Sequence, residues 1–212
     1  MERLEEKCQK EQGEKLKEYI SRIEGCVRDM RALVDDLAEL SSVNRQMLKY
    51  DECDIGVVVK EILLEMGPAL RQKNGKVSAD HLPAIHGDKI QLRILFKNIL
   101  SNALKFARPN NPLEIKISCS DLTEQEKKDK GLAMEARWYR IEISDNGIGF
   151  KQEQALKILQ PFTKLHGKSD FPGNGLGLAV SRKIVENNGG ILYADGSDKG
   201  ACFNILLPET PH

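Results

Sequence analysis

A regular run of apolar residues near the N-terminus most restricts how this chain can fold. The spacing alternates between four and three residues, which is typical of the seam of a coiled coil or helical bundle. The seam comprises Leu16, Ile20, Ile23, Val27, Met30, Val34 and Leu37, and it is widened by Tyr19, Cys26, Leu33 and Leu40. The sequence therefore predicts one long helix over residues 14–50. Because its apolar face must be covered, the helix requires a partner: residues 1–12 folded back, a second chain, or the following domain.

The rest of the chain has the mixed patterns of an α+β domain. We expect residues 51–54 to be a joint, so that residues 1–50 and 51–212 form separate units. Helical spacing predicts helices over 57–72, with Pro68 as an end or kink, over 89–106, capped by Asp88, and from near Gly177 to 188.

Alternating apolar residues predict several strands in the same part of the chain. The predicted strands cover 76–78, 82–86, 113–120, 138–144, 191–194 and 201–207. We expect the third and fourth of these to pair as an antiparallel hairpin. The segment between them, 121–131, is almost purely polar and is interpreted as a surface loop.

Charge and composition exclude several classes of protein. The chain has 32 basic and 32 acidic side chains and a formal net charge of zero, which argues against a general nucleic-acid-binding surface. The sequence has no run of about 18 apolar residues that could span a membrane, and its charged N-terminus lacks the apolar core of a signal peptide. Its five isolated cysteines form no zinc-ligand pattern and suit a reducing compartment. We therefore expect a cytoplasmic protein without a nucleic-acid partner.

The segment 98–106 places polar side chains on one stripe of an otherwise apolar helix. Asn98 and Asn102 are four residues apart and Lys105 follows three residues later, so all three share a helix face. Amide oxygens suit Mg²⁺, and a lysine ammonium suits phosphate. The alternative is a polar edge that simply faces solvent.

A carboxylate stands directly after the predicted strand 138–144 and is followed by two glycines. Asp145, with Gly147 and Gly149 behind it, can lie in a cavity with the backbone close by. An aspartate accepts hydrogen bonds and therefore suits the exocyclic amine of adenine, which donates them. The alternative is an ordinary tight turn.

A glycine-rich segment opens the predicted C-terminal helix. Gly173, Gly175 and Gly177 can expose backbone N–H groups beside the positive end of that helix, and together these would cradle phosphate. The pattern lacks the Gly-Lys-Ser/Thr of a P-loop, and the alternative is a flexible loop before a helix. The preceding segment, 161–172, has the composition of a lid over a nucleotide. Its basic side chains that could reach phosphates are Lys164, His166 and Lys168.

The order of these segments resembles the ATP-binding catalytic domain of sensor histidine kinases. N-x-x-x-N-A-x-K-F resembles that family's asparagine box, D-N-G-I-G-F its first glycine box, P-F-T-K its phenylalanine box and G-N-G-L-G-L its second glycine box. The resemblance covers about residues 51–208. It implies an α+β fold of the Bergerat type, in which a mixed sheet is covered by helices on one face. The nucleotide would lie between the helices and the lid.

The N-terminal helix extends the resemblance. It is similar to the second helix of the dimerization and histidine phosphotransfer domain. The coiled-coil-like seam from Leu16 to Leu37 predicts a homodimer through residues 1–50. The four histidines of the chain are His81, His86, His166 and His212, so none lies in the part that would carry the phosphoacceptor. We therefore expect the chain to begin after the phosphoacceptor histidine, whose helix would be supplied by a longer parent, either membrane-anchored or not.

The resemblance also implies roles for single residues. Asn98, Asn102 and Lys105 would be catalytic, with Asn102 binding Mg²⁺ helped by Asn98, and Lys105 contacting phosphate. Asp145 would hold the adenine amine, and Phe162 would anchor the lid. The residues implied in binding ATP are Asn102, Lys105, Phe106, Asp145, Gly147, Ile148, Gly149, Phe162, Lys164, Gly173, Gly175, Leu176, Gly177 and Leu178.

The implied activity is transfer of the γ-phosphate of ATP to a histidine. Related gyrase, chaperone and mismatch-repair ATPases use a glutamate one turn before the metal-binding asparagine to activate water. This chain has Asn98 there, and an amide cannot accept a proton from water at neutral pH. The implied partners are ATP and ADP, the parent's phosphotransfer helix and the receiver domain of a response regulator. Two alternatives are a non-catalytic nucleotide-binding scaffold and a slow ATPase.

Overall fold

The N-terminal segment is helical at every described residue from 16 to 41. The computed structural model describes residues 16–17, 19–27, 30–34, 37–38, 41, 49–165, 171 and 173–211. All described residues from 16 to 41 are helical, whereas Lys49 and Tyr50 are not, and Leu40 lies outside the described residues. The helix prediction is thus confirmed for this described part. Its seam is exposed in the single chain, from 45% at Leu37 to 65% at Met30. The division into residues 1–50 and 51–212 stays a prediction.

Two sheets form the frame of the following domain. The larger has five strands in the order β2-β4-β5-β7-β6, with β2 parallel to β4 and all other neighbours antiparallel. These strands are β2 (Lys76–Ala79), β4 (Glu114–Asp121), β5 (Trp138–Asp145), β6 (Ile191–Ser197) and β7 (Gly200–Pro208). The smaller sheet pairs β1 (Asp51–Asp54) with β3 (Ala84–Gly87) in antiparallel register. The predicted hairpin of β4 and β5 and the mixed sheet are confirmed.

The helices are α1 (Ile55–Gln72), α2 (Lys89–Lys105), α3 (Glu124–Asp129) and α4 (Gly177–Asn187), with a 3₁₀ turn at Gln152–Gln154. Of these, α1, α2 and α4 cover one face of the large sheet, whereas the short α3 lies by the opposite face, where Glu126 pairs with Arg140. Alternate strand residues such as Ile117 and Ile141 share one buried core with Ile62, Leu95 and Ile184 of the helices. This period-two burial on the strands and helical burial on α1, α2 and α4 produce the predicted α+β sandwich. Among the described residues, no helix combines the length and apolar character needed to cross a bilayer.

Local polar residues cap the N-terminal ends of α1 and α2. The Asp88 carboxylate accepts hydrogen bonds from the backbone N–H groups of Ile90 and Gln91, both at 3.0 Å, and so caps α2 as predicted. At α1, Asp54 accepts from the N–H of Val57 at 3.1 Å, and the helix continues past Pro68. Pro68 therefore does not end α1.

The sequence analysis missed one strand, and one prediction of a loop is wrong. The segment predicted as the joint, 51–54, is strand β1, which forms because β3 offers it a pairing edge and Cys53 packs into the core. The supposed loop at 121–131 contains α3, which begins at a capping box in which Thr123 and Glu126 satisfy each other's backbone N–H groups. Leu122 and Trp138 form a second, small apolar cluster beside it.

Candidate functional site

A cavity of about 290 Å³ opens beside α2, α4 and the end of β5. It brings together most of the residues that the sequence predicts for the site. The predicted residues that line it are Asn102, Lys105, Phe106, Asp145, Gly149, Lys164, Gly173, Gly175, Gly177 and Leu178. Three segments that are far apart in the chain thus converge on one cavity, as the sequence analysis requires.

Asp145 supplies the buried carboxylate of the cavity. It is the last residue of β5 and continues the core-facing row of Ile141 and Ile143, so its side chain points to the helix-covered side. Its Oδ1 accepts a hydrogen bond from the backbone N–H of Gly147 at 2.8 Å. Burial raises the pKa of Asp145, and hydrogen bonds from the backbone of Gly147 and Ala201 partly oppose this rise. The site therefore presents a desolvated hydrogen-bond acceptor.

The loop behind Asp145 is held by backbone contacts on both sides. The N–H of Ile148 donates to the carbonyl of Phe106 at 3.0 Å, and a Cβ placed on Gly147 would lie 2.6 Å from the same carbonyl oxygen. On the other side, a Cβ on Gly149 would lie 1.8 Å from the carbonyl oxygen of Ser197. Only glycine permits such an approach of backbone to backbone. Gly147 and Ile148 thus shape the loop and do not line the cavity.

Lysines and glycines make the opposite end of the cavity. Lys105 follows Asn102 on the same face of α2, and both are half-buried. Burial lowers the pKa of the Lys105 ammonium, and the charge of Lys164 lowers it further. A Cβ on Gly173 would lie 2.8 Å from Lys105 Nζ, so this glycine leaves room for the ammonium. Two cations that repel each other are suited to share a polyanion.

The N-terminus of α4 also faces this end. Gly177 and Leu178 begin the helix and line the cavity, and the residue before them, Leu176, has no side-chain atom that could cap their N–H groups. Gly175 has a φ of +75°, and a Cβ there would lie 2.6 Å from the carbonyl oxygen of Thr163. Unsatisfied N–H groups at a helix N-terminus favour bound phosphate. Leu176 itself is buried in the core.

Two predicted roles do not fit the geometry. Asn98 does not line the cavity, and its Nδ2 donates to the carbonyl of Gly177 at 3.2 Å, so it ties α2 to α4. Phe162 is 59% exposed, with a φ of +61°, and does not pack as an anchor of the lid. Of the basic lid residues, His166 and Lys168 lie outside the described residues.

Several residues of the site carried no recognisable signal in the sequence. Phe171 packs against Phe106 in a tilted arrangement, with ring centroids 4.9 Å apart and an interplanar angle of 49°. This lid phenylalanine could have been found only through its place between two turn formers, Asp170 and Pro172. The other lining residues that the sequence analysis missed are Phe150, Ile158, Thr163, Leu165, Asn174, Ala201 and Phe203. Most are ordinary apolar residues, which pattern alone cannot separate from the core.

Comparison with known proteins places this geometry in a family context. The family described as "Histidine kinase-, DNA gyrase B-, and HSP90-like ATPase" matches residues 87–211, which is more than half of the chain. The phytochrome-like protein Cph1 of Synechocystis sp. (strain PCC 6803) is 28% identical over 180 residues, covering 84% of this chain and 22% of Cph1. The methanogenesis regulatory histidine kinase FilI of Methanothrix harundinacea is 30% identical over 200 residues, covering 92% of this chain and 21% of FilI.

A solved structure supports the same fold. The crystal structure of full-length ShkA in complex with AMPPNP superimposes with a TM-score of 0.68 at 21% identity, covering 91% of this chain and 38% of ShkA. At that identity the likeness concerns the fold. The chain spans about a fifth of the length of Cph1 and FilI.

Proposed function

Because the chain belongs to the family of histidine kinase-, DNA gyrase B- and HSP90-like ATPases, we propose that it transfers the γ-phosphate of ATP to a histidine. The predicted resemblance to the ATP-binding catalytic domain of sensor histidine kinases is confirmed by the family match and by relatives such as FilI. The acceptor histidine would lie on a phosphotransfer helix outside this chain. From there the phosphoryl group would pass to an aspartate of a response-regulator receiver domain.

The observation that carries this proposal is the convergence of unlike groups on one cavity. Asp145 provides an acceptor at one end, while Asn102, Lys105 and Lys164 provide an amide and two cations at the other. ATP has the matching distribution, because its adenine amine donates hydrogen bonds and its triphosphate is a polyanion. The N-terminus of α4 adds backbone donors at the phosphate end.

The groups at the phosphate end fit a nucleotide-bound Mg²⁺. Mg²⁺ is commonly held by one or two protein oxygens together with phosphate oxygens, and the amide oxygen of Asn102 supplies such a ligand on the cavity wall. When bound, the ion would neutralise charge that develops on the transferring phosphoryl group. Lys105 would orient the phosphates, and Asp145 would fix the base, so that the γ-phosphate meets the incoming imidazole in line.

The environment of Asn98 favours transfer over hydrolysis. Its amide donates to the carbonyl of Gly177 and cannot act as a base. Among the described residues that line the cavity, Asp145 is the one carboxylate, and it lies at the end assigned to the base. Nothing there would remove a proton from an attacking water, whereas an imidazole is itself a nucleophile.

Two measurements test the proposal. Calorimetry of the chain with ADP and with AMPPNP should show binding that requires Asp145, and failure to bind either nucleotide would refute it. The chain should then phosphorylate a separately supplied phosphotransfer domain that carries the acceptor histidine. Binding without transfer would favour the non-catalytic scaffold, and release of phosphate from ATP without an acceptor would favour the slow ATPase.

The exposed seam of the N-terminal helical segment supports a homodimer through residues 1–50. Eight large apolar side chains between Leu16 and Leu37 are at least 45% exposed, and packing two such stripes together would remove them from water. Light scattering at micromolar concentration should give twice the mass of 23.8 kDa. A cytoplasmic location and a membrane-anchored parent remain predictions.

A further inference from the structure

Arg108 is an arginine beside the cavity to which the sequence analysis gave no role. It lies just after α2, within the turn that follows Phe106, and it is half-buried. Its Nε donates to the carbonyl of Gly147 at 3.0 Å. Its Nη2 donates to the carbonyl of Asp198, in the turn that joins β6 to β7. One planar guanidinium therefore ties the loop behind Asp145 to the turn between β6 and β7.

The bridged carbonyls lie directly beside the groups that fix Asp145. The N–H of Gly147 donates to the Asp145 carboxylate, while the carbonyl of the same residue accepts from Arg108. A Cβ on Gly200, the first residue of β7 after the turn that contains Asp198, would lie 1.9 Å from the backbone oxygen of Asp145. The Gly147–Ile148 peptide unit, which directly follows the N–H that orients the carboxylate, is thus held at its own N–H by the carbonyl of Phe106 and at its carbonyl by Arg108.

We propose that Arg108 is a positioning residue that holds the Asp145 carboxylate in the orientation needed to accept a hydrogen bond from the exocyclic amine of adenine. The inference rests on the proposed binding of ATP. Arg108 acts through the loop and does not line the cavity. The rigid fork of arginine is required because two carbonyls on different segments must be reached at once, which a lysine ammonium on a flexible stem does poorly. Arg108 therefore contributes to preference for adenine at a distance from the base.

The affinities of Arg108 variants for nucleotides distinguish this positioning role from a general contribution to the stability of the fold. Affinities for ADP and adenosine would be measured by competition against a fluorescent ATP analogue. Arg108→Ala should weaken both ligands by the same factor, about tenfold, because the loss concerns the base that they share. Arg108→Lys should lose about threefold, since it keeps one donor. The matched control is Arg137→Ala. Its partner Asp121 lies at the end of β4 that is remote from Asp145, so this variant should bind like the wild type.

A double-mutant cycle measures the coupling between Arg108 and Asp145 in nucleotide affinity, which simple destabilisation of the fold would not produce. If Arg108 acts through the carboxylate, Arg108→Ala in an Asp145→Asn background should cause less than about a twofold further loss. The same tenfold loss in both backgrounds would overturn the inference, as would unchanged binding by Arg108→Ala alone. Thermal melting curves show at which temperatures each variant is folded, and binding is compared only there. If Arg108→Ala does not fold, Arg108→Lys takes its place in the cycle. A wild-type chain that binds no ADP would instead refute the proposed function.

Discussion

The two ends of the cavity are built from different materials. At the base end, backbone contacts backbone: Ile148 donates to Phe106, and Gly149 leaves no space for a Cβ beside Ser197. At the phosphate end, Gly175 meets the Thr163 backbone in the same way, but beside Gly173 the nearest described atom to a Cβ is the flexible tip of Lys105. Since backbone segments cannot move singly but lysines can, the base end is preformed, whereas the cavity wall at Gly173 and Lys105 can adjust. This difference predicts that a given change has a larger effect at the base end.

Alanine substitution of one glycine at each end tests that difference most directly. Gly149→Ala places a Cβ 1.8 Å from a carbonyl oxygen at a φ of +63°, so it should destabilise the fold by about 3 kcal/mol or more. Gly173→Ala also has a positive φ, but among the described residues its Cβ meets only the end of Lys105, so it should cost about 1–2 kcal/mol. Urea unfolding curves of both variants give the two values. Equal losses would show that the ends do not differ in rigidity.

Replacing the carboxylate should have the next largest effect. Asp145→Asn keeps the shape but presents one amide N–H₂ or a weaker acceptor to the adenine amine, so affinity for ADP and adenosine should each fall by about 2 kcal/mol, or roughly thirtyfold. Calorimetry measures both affinities.

The same carboxylate predicts a pH dependence. Because burial raises the pKa of Asp145, the affinity of the wild type for adenosine should begin to fall, on acidification, at a higher pH than it would if Asp145 had the pKa of an ordinary aspartate. In Asp145→Asn this fall of affinity at low pH should disappear. If the fall is unchanged, it is caused by the titration of another group.

The groups compared so far differ in how far the sequence revealed them. Asn102 and Lys105 follow from local helical spacing, and Asp145 follows from its place at the end of a strand, because each depends on one element only. Arg108 depends on three segments meeting, and no spacing within the chain encodes the carbonyls of Gly147 and Asp198. The sequence thus predicts site residues whose side chains line the cavity directly. It does not predict a residue that acts through contacts with the backbone of other segments.

The fold shows the same limit. The apolar periods of β4, β5 and α2 fix their type, whereas β1 has the sequence D-E-C-D and is a strand only because β3 pairs with it. Tertiary pairing overrides local preference there. By contrast, α3 did carry a local signal, the Thr123–Glu126 capping box, which was overlooked because the helix is polar and has no apolar stripe.

At the phosphate end, Lys105→Ala should separate triphosphate from base. Removing the ammonium should weaken ATP by about 1.4 kcal/mol, or roughly tenfold, and leave adenosine unchanged, since adenosine has no phosphate. Competition titrations with both ligands measure this difference. Equal loss of ATP and adenosine would mean that Lys105 supports the fold of the cavity, and the contrast between the two ends would fail.

The smallest effect is expected at Lys164, which is exposed and is screened by solvent. Lys164→Ala should weaken ATP only about twofold, and Lys128→Ala on α3, an exposed lysine away from the cavity, should have no effect. Removing Lys164 should nevertheless shift the pH dependence, because its charge is the second cause of the lowered pKa of Lys105. Affinity for ATP falls as Lys105 deprotonates, so in Lys164→Ala this alkaline fall should move to higher pH. A fall that stays in place would mean that burial alone lowers the pKa of Lys105, and the two lysines would then act on the phosphates independently.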